Sequence, residues 1–214
     1  MNISEIFCSI NGESCRSGLR TVFIRTFGCP LRCSYCDSMY SVEGEDYKSM
    51  SVAEIIEAVD KHNAHYVTLT GGEPLIQKDV IDLIKELDSY GYEIEIETSG
   101  AVDLKPIKDL KICNCIITMD WKCPSSGMTS KMLESNLGLL DYDDVLKFVV
   151  GSEEDLQEVL KIREKPCSNI YVSPVFGKIE LKDIADFIIN EGLNDVRLQH
   201  QLHKVVWDPN LRGV

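Results

Sequence analysis

A chain of 214 residues with 44% apolar content can bury one sizeable core, and nothing in its length calls for a second, so one domain spanning residues 1–214 is expected. Its formal net charge of -13 argues against direct nucleic-acid binding or broad contact with an anionic membrane, and no run approaches the length of a membrane span. The ligand is therefore expected to be small, with any anionic group on it met by one or two placed cations rather than by a basic surface.

The N-terminus, MNISEIFCSINGESC, has no basic start followed by an apolar run, and a cytoplasmic location is expected. Nine cysteines, an odd number, fit cofactor ligation in a reducing compartment better than a disulfide framework.

Along the chain, a first apolar run at Thr21 to Thr26 leads straight into a cysteine cluster. From residue 65 onward, short β-branched runs alternate with segments of helical period, the pattern of repeated βα units around a parallel sheet. The strands are expected at His65 to Thr70, Glu93 to Thr98, Cys115 to Asp120, Val145 to Val150, Asn169 to Val172 and Val196 to Leu198. Ser51 and Glu54 form a capping box for a helix whose stripe is Val52, Ile55, Ile56 and Val59. A second helix carries Val80, Leu83, Ile84 and Leu87 and stops at Gly91, where a left-handed cap suits glycine. Leu156, Val159 and Leu160 mark a third, and Leu181, Ile184, Ala185 and Ile188 a fourth that stops at Gly192.

Periodicity does not separate a partly closed barrel from an open doubly wound sheet, but in either the ligand site lies at the carboxyl ends of the strands. The notable residues fall there: the cysteines after the first run, Thr70-Gly71-Gly72-Glu73-Pro74 after the next, and Glu97-Thr98-Ser99-Gly100 after a third.

In Gly28-Cys29-Pro-Leu-Arg-Cys33-Ser-Tyr35-Cys36-Asp37, one loop carries three thiols. Cluster irons are ordinarily held by four thiolates, so three either borrow a fourth ligand or leave one iron of a [4Fe-4S] cubane open to a cofactor. The alternative is a structural zinc site completed by Cys8 or Cys15 in a non-enzymatic or redox-sensing module. Cys113, Cys115, Cys123 and Cys167 lack a metal spacing and are expected to be small buried residues. The histidines are expected to be structural, and the acidic runs 141–144 and 153–155 solvated, the second suiting a helix N-terminus.

The C-x3-C-x2-C loop with Tyr35 before its last cysteine resembles that of the radical S-adenosylmethionine superfamily. The resemblance implies a pared-down, partial (βα)6-type barrel with parallel strands. It also implies a [4Fe-4S] cluster held by Cys29, Cys33 and Cys36, whose open iron chelates S-adenosylmethionine, and an external flavodoxin-like or ferredoxin-like electron donor. Reductive cleavage of the sulfonium then yields a 5'-deoxyadenosyl radical that abstracts substrate hydrogen. By the same resemblance Tyr35, Gly71, Gly72, Glu73, Ser99, Lys122 and Ser125 would contact S-adenosylmethionine; glycines allow the close backbone approach this needs.

The runs Ile6 to Glu13, Phe23-Ile24-Arg25, Asp120 to Gly127 and Leu198 to Lys204 with Trp207 resemble the 7-carboxy-7-deazaguanine synthase family nearly end to end. This implies a carbon-nitrogen lyase that turns 6-carboxy-5,6,7,8-tetrahydropterin into 7-carboxy-7-deazaguanine with loss of ammonia, towards queuosine and related 7-deazapurines. It also implies a Mg2+ ion held by Ser38 and substrate, and a homodimer. Arg25 would meet the substrate carboxylate, with Ile10, Asn11, Gly12, Glu13 and Thr70 around the pterin. Many relatives carry Gln at the position of Asn11, so a shorter side chain changes that contact or passes it to backbone. A glycyl-radical-enzyme activase shares the three-cysteine loop but would not explain Arg25 or the Asp120 to Gly127 run.

Overall fold

The computed structural model describes residues 1–165, 168–209 and 211–214. One nine-stranded sheet runs through it in the order β3-β1-β2-β4-β5-β6-β7-β8-β9. β1 (Asn2–Ile10) and β2 (Arg20–Thr26) form an antiparallel pair, and β3 (Lys48–Ser49) adds antiparallel to β1. From β2 outward every pairing is parallel: β4 (Tyr66–Gly71), β5 (Glu93–Thr98), β6 (Cys115–Trp121), β7 (Val145–Val150), β8 (Asn169–Pro174) and β9 (Val196–Leu198). β3 and β9 remain unpaired edges, so the sheet curls without closing: a partial barrel, open rather than sealed.

The helices are α1 (Val52–Asp60), α2 (Val80–Ser89), α3 (Lys105–Lys108), α4 (Glu153–Ile162), α5 (Leu181–Asn190) and α6 (His203–Val206). Ser51 and Glu54 close the expected box on α1, with Ser51 N donating to Glu54 Oε2 at 2.8 Å and Glu54 N to Ser51 Oγ at 3.3 Å. α2 stops where Gly91 adopts φ 78°.

Successive strand residues point to opposite faces, and the two faces of this sheet differ in kind. Val22, Ile24, Val67, Leu69, Ile94, Ile96, Ile117, Leu146 and Phe148 belong to one core cluster with Ile55, Val59, Leu83, Leu87 and Val159 of the helices. Burying each such side chain contributes about 1.5–3 kcal/mol. The residues between them, Arg25, Thr68, Thr70, Glu95, Glu97, Thr118, Asp120 and Lys147, are polar and share the opposite face. Parallel strands buried against helices on both sides read as continuous apolar runs; this alternation marks a second face that is a polar interior.

Several expectations change. β1 and β3 do not follow from the sequence pattern: β1 is half-buried along nearly its whole length and carries a register irregularity between Ile3 and Glu5, so no alternation announces it. The acidic runs are not wholly solvated. Asp144 is 2% exposed and Asp155 0%. Asp144 accepts from Ile117 N at 2.9 Å, Asp141 N at 2.7 Å and Lys108 Nζ at 2.6 Å, because its carboxylate caps the loop before β7. Cys123 is buried as expected, whereas Cys113 is exposed and Cys115 half-buried; Cys167 lies outside the described residues. Among the described residues no helix is long and apolar enough to cross a membrane.

Candidate active site

At the carboxyl ends of the strands lies a cavity of about 260 Å³. Its floor is the polar sheet face, where Arg25, Thr70, Glu97, Thr118, Asp120 and Lys147 emerge from β2, β4, β5, β6 and β7. The cysteine loop forms one wall, residues 10–13 after β1 another, and the C-terminal Gln201, His203, Lys204 and Val214 a third.

Cys29, Cys33 and Cys36 all line this cavity as free, half-buried thiols. Burial pushes the Cys29 thiol up to about 11 and raises Cys33 as well, so neither sheds its proton readily without a metal to take the thiolate. The loop is pinned by hydrogen bonds at several points. Ser34 N and Oγ donate to Ser126 O at 3.0 Å and Ser125 O at 2.6 Å, Tyr35 Oη donates to Val149 O at 3.2 Å, and Gly28 N donates to Ser41 O at 2.7 Å. Among the described residues, no three His, Cys, Asp or Glu side chains converge closely enough to hold a single metal ion, and neither Cys8 nor Cys15 lines the cavity. Zinc needs four ligands around one ion, whereas a [4Fe-4S] cluster needs each thiolate only at its own iron.

The Gly71-Gly72 segment sits hard against the start of the cysteine loop. A Cβ on Gly72 would fall 2.2 Å from Gly28 O, and one on Gly71 2.3 Å from Thr26 O, so only glycine lets β4 end beside that loop. Both glycines line the cavity.

Glu73 and Ser125 are not among the residues that line the cavity. Glu73 is 0% exposed, and its carboxylate accepts from Thr98 Oγ1 at 2.9 Å, Ser99 N at 2.8 Å, Ser99 Oγ at 2.5 Å and Leu75 N at 3.1 Å. It ties β4 to β5, and it accepts the hydroxyl hydrogen bond of Ser99, which does line the cavity. Ser125 N donates to Asp155 Oδ1 at 2.8 Å, and Ser125 Oγ bonds Asp155 Oδ2. Its carbonyl, not its hydroxyl, faces the cysteine loop, where it accepts from Ser34.

Lys122 lines the cavity with Nζ 2.8 Å from Asp120 Oδ2. Burial works against its charge, but Asp120 and then Cys33 more than offset this, so its pKa is raised. The other oxygen, Asp120 Oδ1, is buried with no partner. A buried acceptor left in this state costs free energy, and a hydroxyl on a bound cofactor would satisfy it. The free thiols, the glycine cradle and this orphaned oxygen together fit a cluster with S-adenosylmethionine.

Arg25 lines the cavity, and its Nε donates to Glu5 Oε1 at 2.7 Å; among the described residues its two Nη groups make no hydrogen bond. Ile10, Gly12 and Glu13 line the cavity, Glu13 accepting from Lys147 Nζ at 2.9 Å and Gln201 Nε2 at 3.1 Å. Thr70 Oγ1 donates to Glu97 Oε2 at 2.7 Å. Burial, with Glu95 and Glu13 nearby, pushes Glu97 up to about 7 despite Lys147. Asn11 borders the cavity, but its amide turns away: Nδ2 donates to Glu95 Oε2 at 3.0 Å, and Oδ1 accepts from Glu13 N at 3.0 Å. Ser38 lines the cavity with Oγ 3.8 Å from Cys36 Sγ. Next to it, Asp37 pairs with Lys204 Nζ at 2.9 Å; burial opposes its charge, and Lys204 overrides this and lowers its pKa.

Glu97, Lys147, Asp37 and the C-terminal His203 and Lys204 were not expected as site residues. A signal for the first two was present: a charged residue inside the otherwise apolar β7 run VLKFVV, and glutamates at alternate positions of EIEIET.

The model of the radical SAM superfamily matches residues 23–188. The chain is 43% identical to a 7-carboxy-7-deazaguanine synthase of Clostridium acetobutylicum, covering 99% of this chain and 98% of that one. It is 42% identical to a 7-carboxy-7-deazaguanine synthase of Methanospirillum hungatei, covering 98% and 86%. The crystal structure of QueE from Escherichia coli superposes with a TM-score of 0.77 at 23% identity, covering 94% of each chain, which speaks to the fold.

Proposed function

Because the chain belongs to the radical SAM superfamily and, within it, to the 7-carboxy-7-deazaguanine synthase family, we propose that it converts 6-carboxy-5,6,7,8-tetrahydropterin to 7-carboxy-7-deazaguanine with release of ammonia. The family implies a [4Fe-4S] cluster and S-adenosylmethionine. Cys29, Cys33 and Cys36 would hold the cluster; Tyr35, Gly71, Gly72, Ser99 and Lys122 would face the cofactor, with Glu73 and Ser125 acting behind them. When bound, the pair supplies a carbon-centred radical able to take hydrogen from an unactivated C–H bond.

The chain's own residues then bind and orient. The free Nη pair of Arg25 matches a carboxylate with two parallel hydrogen bonds. Glu13 and Glu97 offer acceptors to the N–H edge of the pterin, and Lys147 between them offsets part of their mutual repulsion. Stacked Phe7 and Phe23, with ring centroids 5.1 Å apart, give the cavity an apolar wall, and the C-terminal wall limits access of water. Thr70 bonds Glu97 directly, and Ser38 would serve a Mg2+ ion that the substrate also ligates.

One observation carries the reading: the three free thiols and Arg25, whose Nη groups make no hydrogen bond among the described residues, border the same small cavity. That favours a small carboxylated substrate over the protein partner of an activase. Residues 1–214 are proposed to form one core domain, working as a cytoplasmic homodimer with a flavodoxin-like or ferredoxin-like donor. The test is anaerobic equilibrium binding of 6-carboxytetrahydropterin to reconstituted protein with and without Mg2+. Saturable binding strengthened by Mg2+ supports the reading; no binding to cluster-loaded protein refutes it.

A further inference from the structure

Arg25 lies directly across from Glu5 in the β1–β2 ladder, and Glu5 Oε1 accepts from Arg25 Nε at 2.7 Å. The same oxygen accepts from Tyr40 Oη at 2.7 Å. Tyr40 stands in the short turn Met39–Ser41 that leaves the cysteine loop. Its ring carries the Arg212 guanidinium with Cζ 3.7 Å from the centroid, and Arg212 Nη1 is 3.0 Å from Asp46 Oδ2. A continuous line of contacts thus joins Arg25, which faces the cavity, to the C-terminal tail, whose last residue Val214 also lines it.

A guanidinium on three rotatable carbons has no fixed orientation of its own. With Nε committed to Glu5, its plane is set, and the Nη pair is the edge left for a ligand. Glu5 lies on β1, which is anchored through the ladder to β2, so the pair moves as one body. Tyr40 holds Glu5 from the second side and brings in the tail by a cation–π contact.

We propose that Glu5 and Tyr40 are positioning residues for carboxylate recognition. Glu5 aims the Nη pair of Arg25 into the cavity, and Tyr40 couples that aim to docking of the C-terminal tail through Arg212. The inference rests on the reading of Arg25 as the carboxylate-binding group, and it predicts that the sharpest discrimination for a carboxylated pterin requires a docked tail.

The experiment compares anaerobic binding of 6-carboxytetrahydropterin and of tetrahydropterin lacking the carboxylate. It uses cluster-loaded wild type, Glu5→Ala, Glu5→Gln, Tyr40→Phe and Arg212→Ala. Wild type is expected to prefer the carboxylated ligand by on the order of 10 to 100-fold, the range of a charge-assisted bidentate pair. Glu5→Ala loses roughly ten-fold of that preference through the carboxylated ligand alone, while Glu5→Gln, which keeps an acceptor oxygen, stays within about three-fold of wild type. Tyr40→Phe and Arg212→Ala each lose about two- to five-fold, again only for the carboxylated ligand. Equal weakening of both ligands in Glu5→Ala marks a merely structural role and overturns the inference, as does an unchanged preference. Equal binding of both ligands by wild type removes the Arg25 reading itself and this inference with it.

Discussion

Lys147 and Glu13 form an ion pair across the cavity floor, Nζ to Oε2 at 2.9 Å, with side chains only 9% and 13% exposed. Burial opposes both charges; Lys147 nevertheless lowers the Glu13 pKa, and Glu13, with Asp120, raises that of Lys147. Removing one partner of a buried pair leaves an uncompensated charge, so Lys147→Met is expected to destabilise the fold by about 3–5 kcal/mol. Urea unfolding measures this. The double variant Lys147→Met with Glu13→Gln should recover part of the loss, and a double variant no more stable than the single one contradicts the coupling.

Glu97 is expected to set a pH dependence near neutrality, since burial pushes its pKa from the ordinary carboxylate value of 4.5 up to about 7. Its folded pKa is raised, so the stability it contributes is fully present below the unfolded value and is lost as pH rises through about 7. The stability advantage of wild type over Glu97→Gln should therefore shrink between pH 4.5 and 7. Ionised Glu97 is the better acceptor for pterin N–H groups, so substrate KM should fall as pH rises through this range. The same KM profile in Glu97→Gln would show that another group titrates.

Asn11 holds Glu95, a fully buried carboxylate that also accepts from Thr118 Oγ1 at 2.6 Å. Asn11→Ala leaves Glu95 Oε2 with only the long 3.4 Å bond from Thr68 Oγ1 and should cost about 1–3 kcal/mol. Its amide points away from the cavity, so one extra methylene presses against Glu95 and Glu13 N and displaces the 11–13 segment that lines the substrate side. Asn11→Gln should accordingly change substrate KM more than S-adenosylmethionine affinity, and the reverse pattern would place the amide on the cofactor side.

Gly72→Ala drives a Cβ to within 2.2 Å of Gly28 O, at the entry to the cysteine loop. Backbone must move, since the atoms it meets, Gly28 O and Ser41 O, are main chain. Iron and sulfide content after reconstitution should fall well below wild type while the helical circular dichroism is retained; full cluster content would show that the loop tolerates the shift.

The cysteine loop, the strand ends and the helices were legible because each is local: Cys29, Cys33 and Cys36 fall within one short loop, and the α1 box closes over three residues. What a polar side chain does at the site was less so, because its partner is remote. Asn11 meets Glu95 across 84 positions, Glu73 meets Ser99 across 26, and Ser125 meets Asp155 across 30. Spacing gives those residues' addresses near the strand ends, and only the sheet order decides which way each one faces. Lys147 and Glu97 were readable in principle as charges on the inner face of apolar strands, once that face is recognised as a polar interior.

The account is tested most directly by one anaerobic reaction. Reconstituted protein, S-adenosylmethionine, reductant, Mg2+ and 6-carboxytetrahydropterin are combined, and 5'-deoxyadenosine and 7-carboxy-7-deazaguanine are followed together by mass spectrometry beside Cys29→Ala. Wild type should form both and Cys29→Ala neither. 5'-Deoxyadenosine without 7-carboxy-7-deazaguanine from cluster-loaded wild type would contradict the proposed substrate, and neither product would contradict the proposed chemistry.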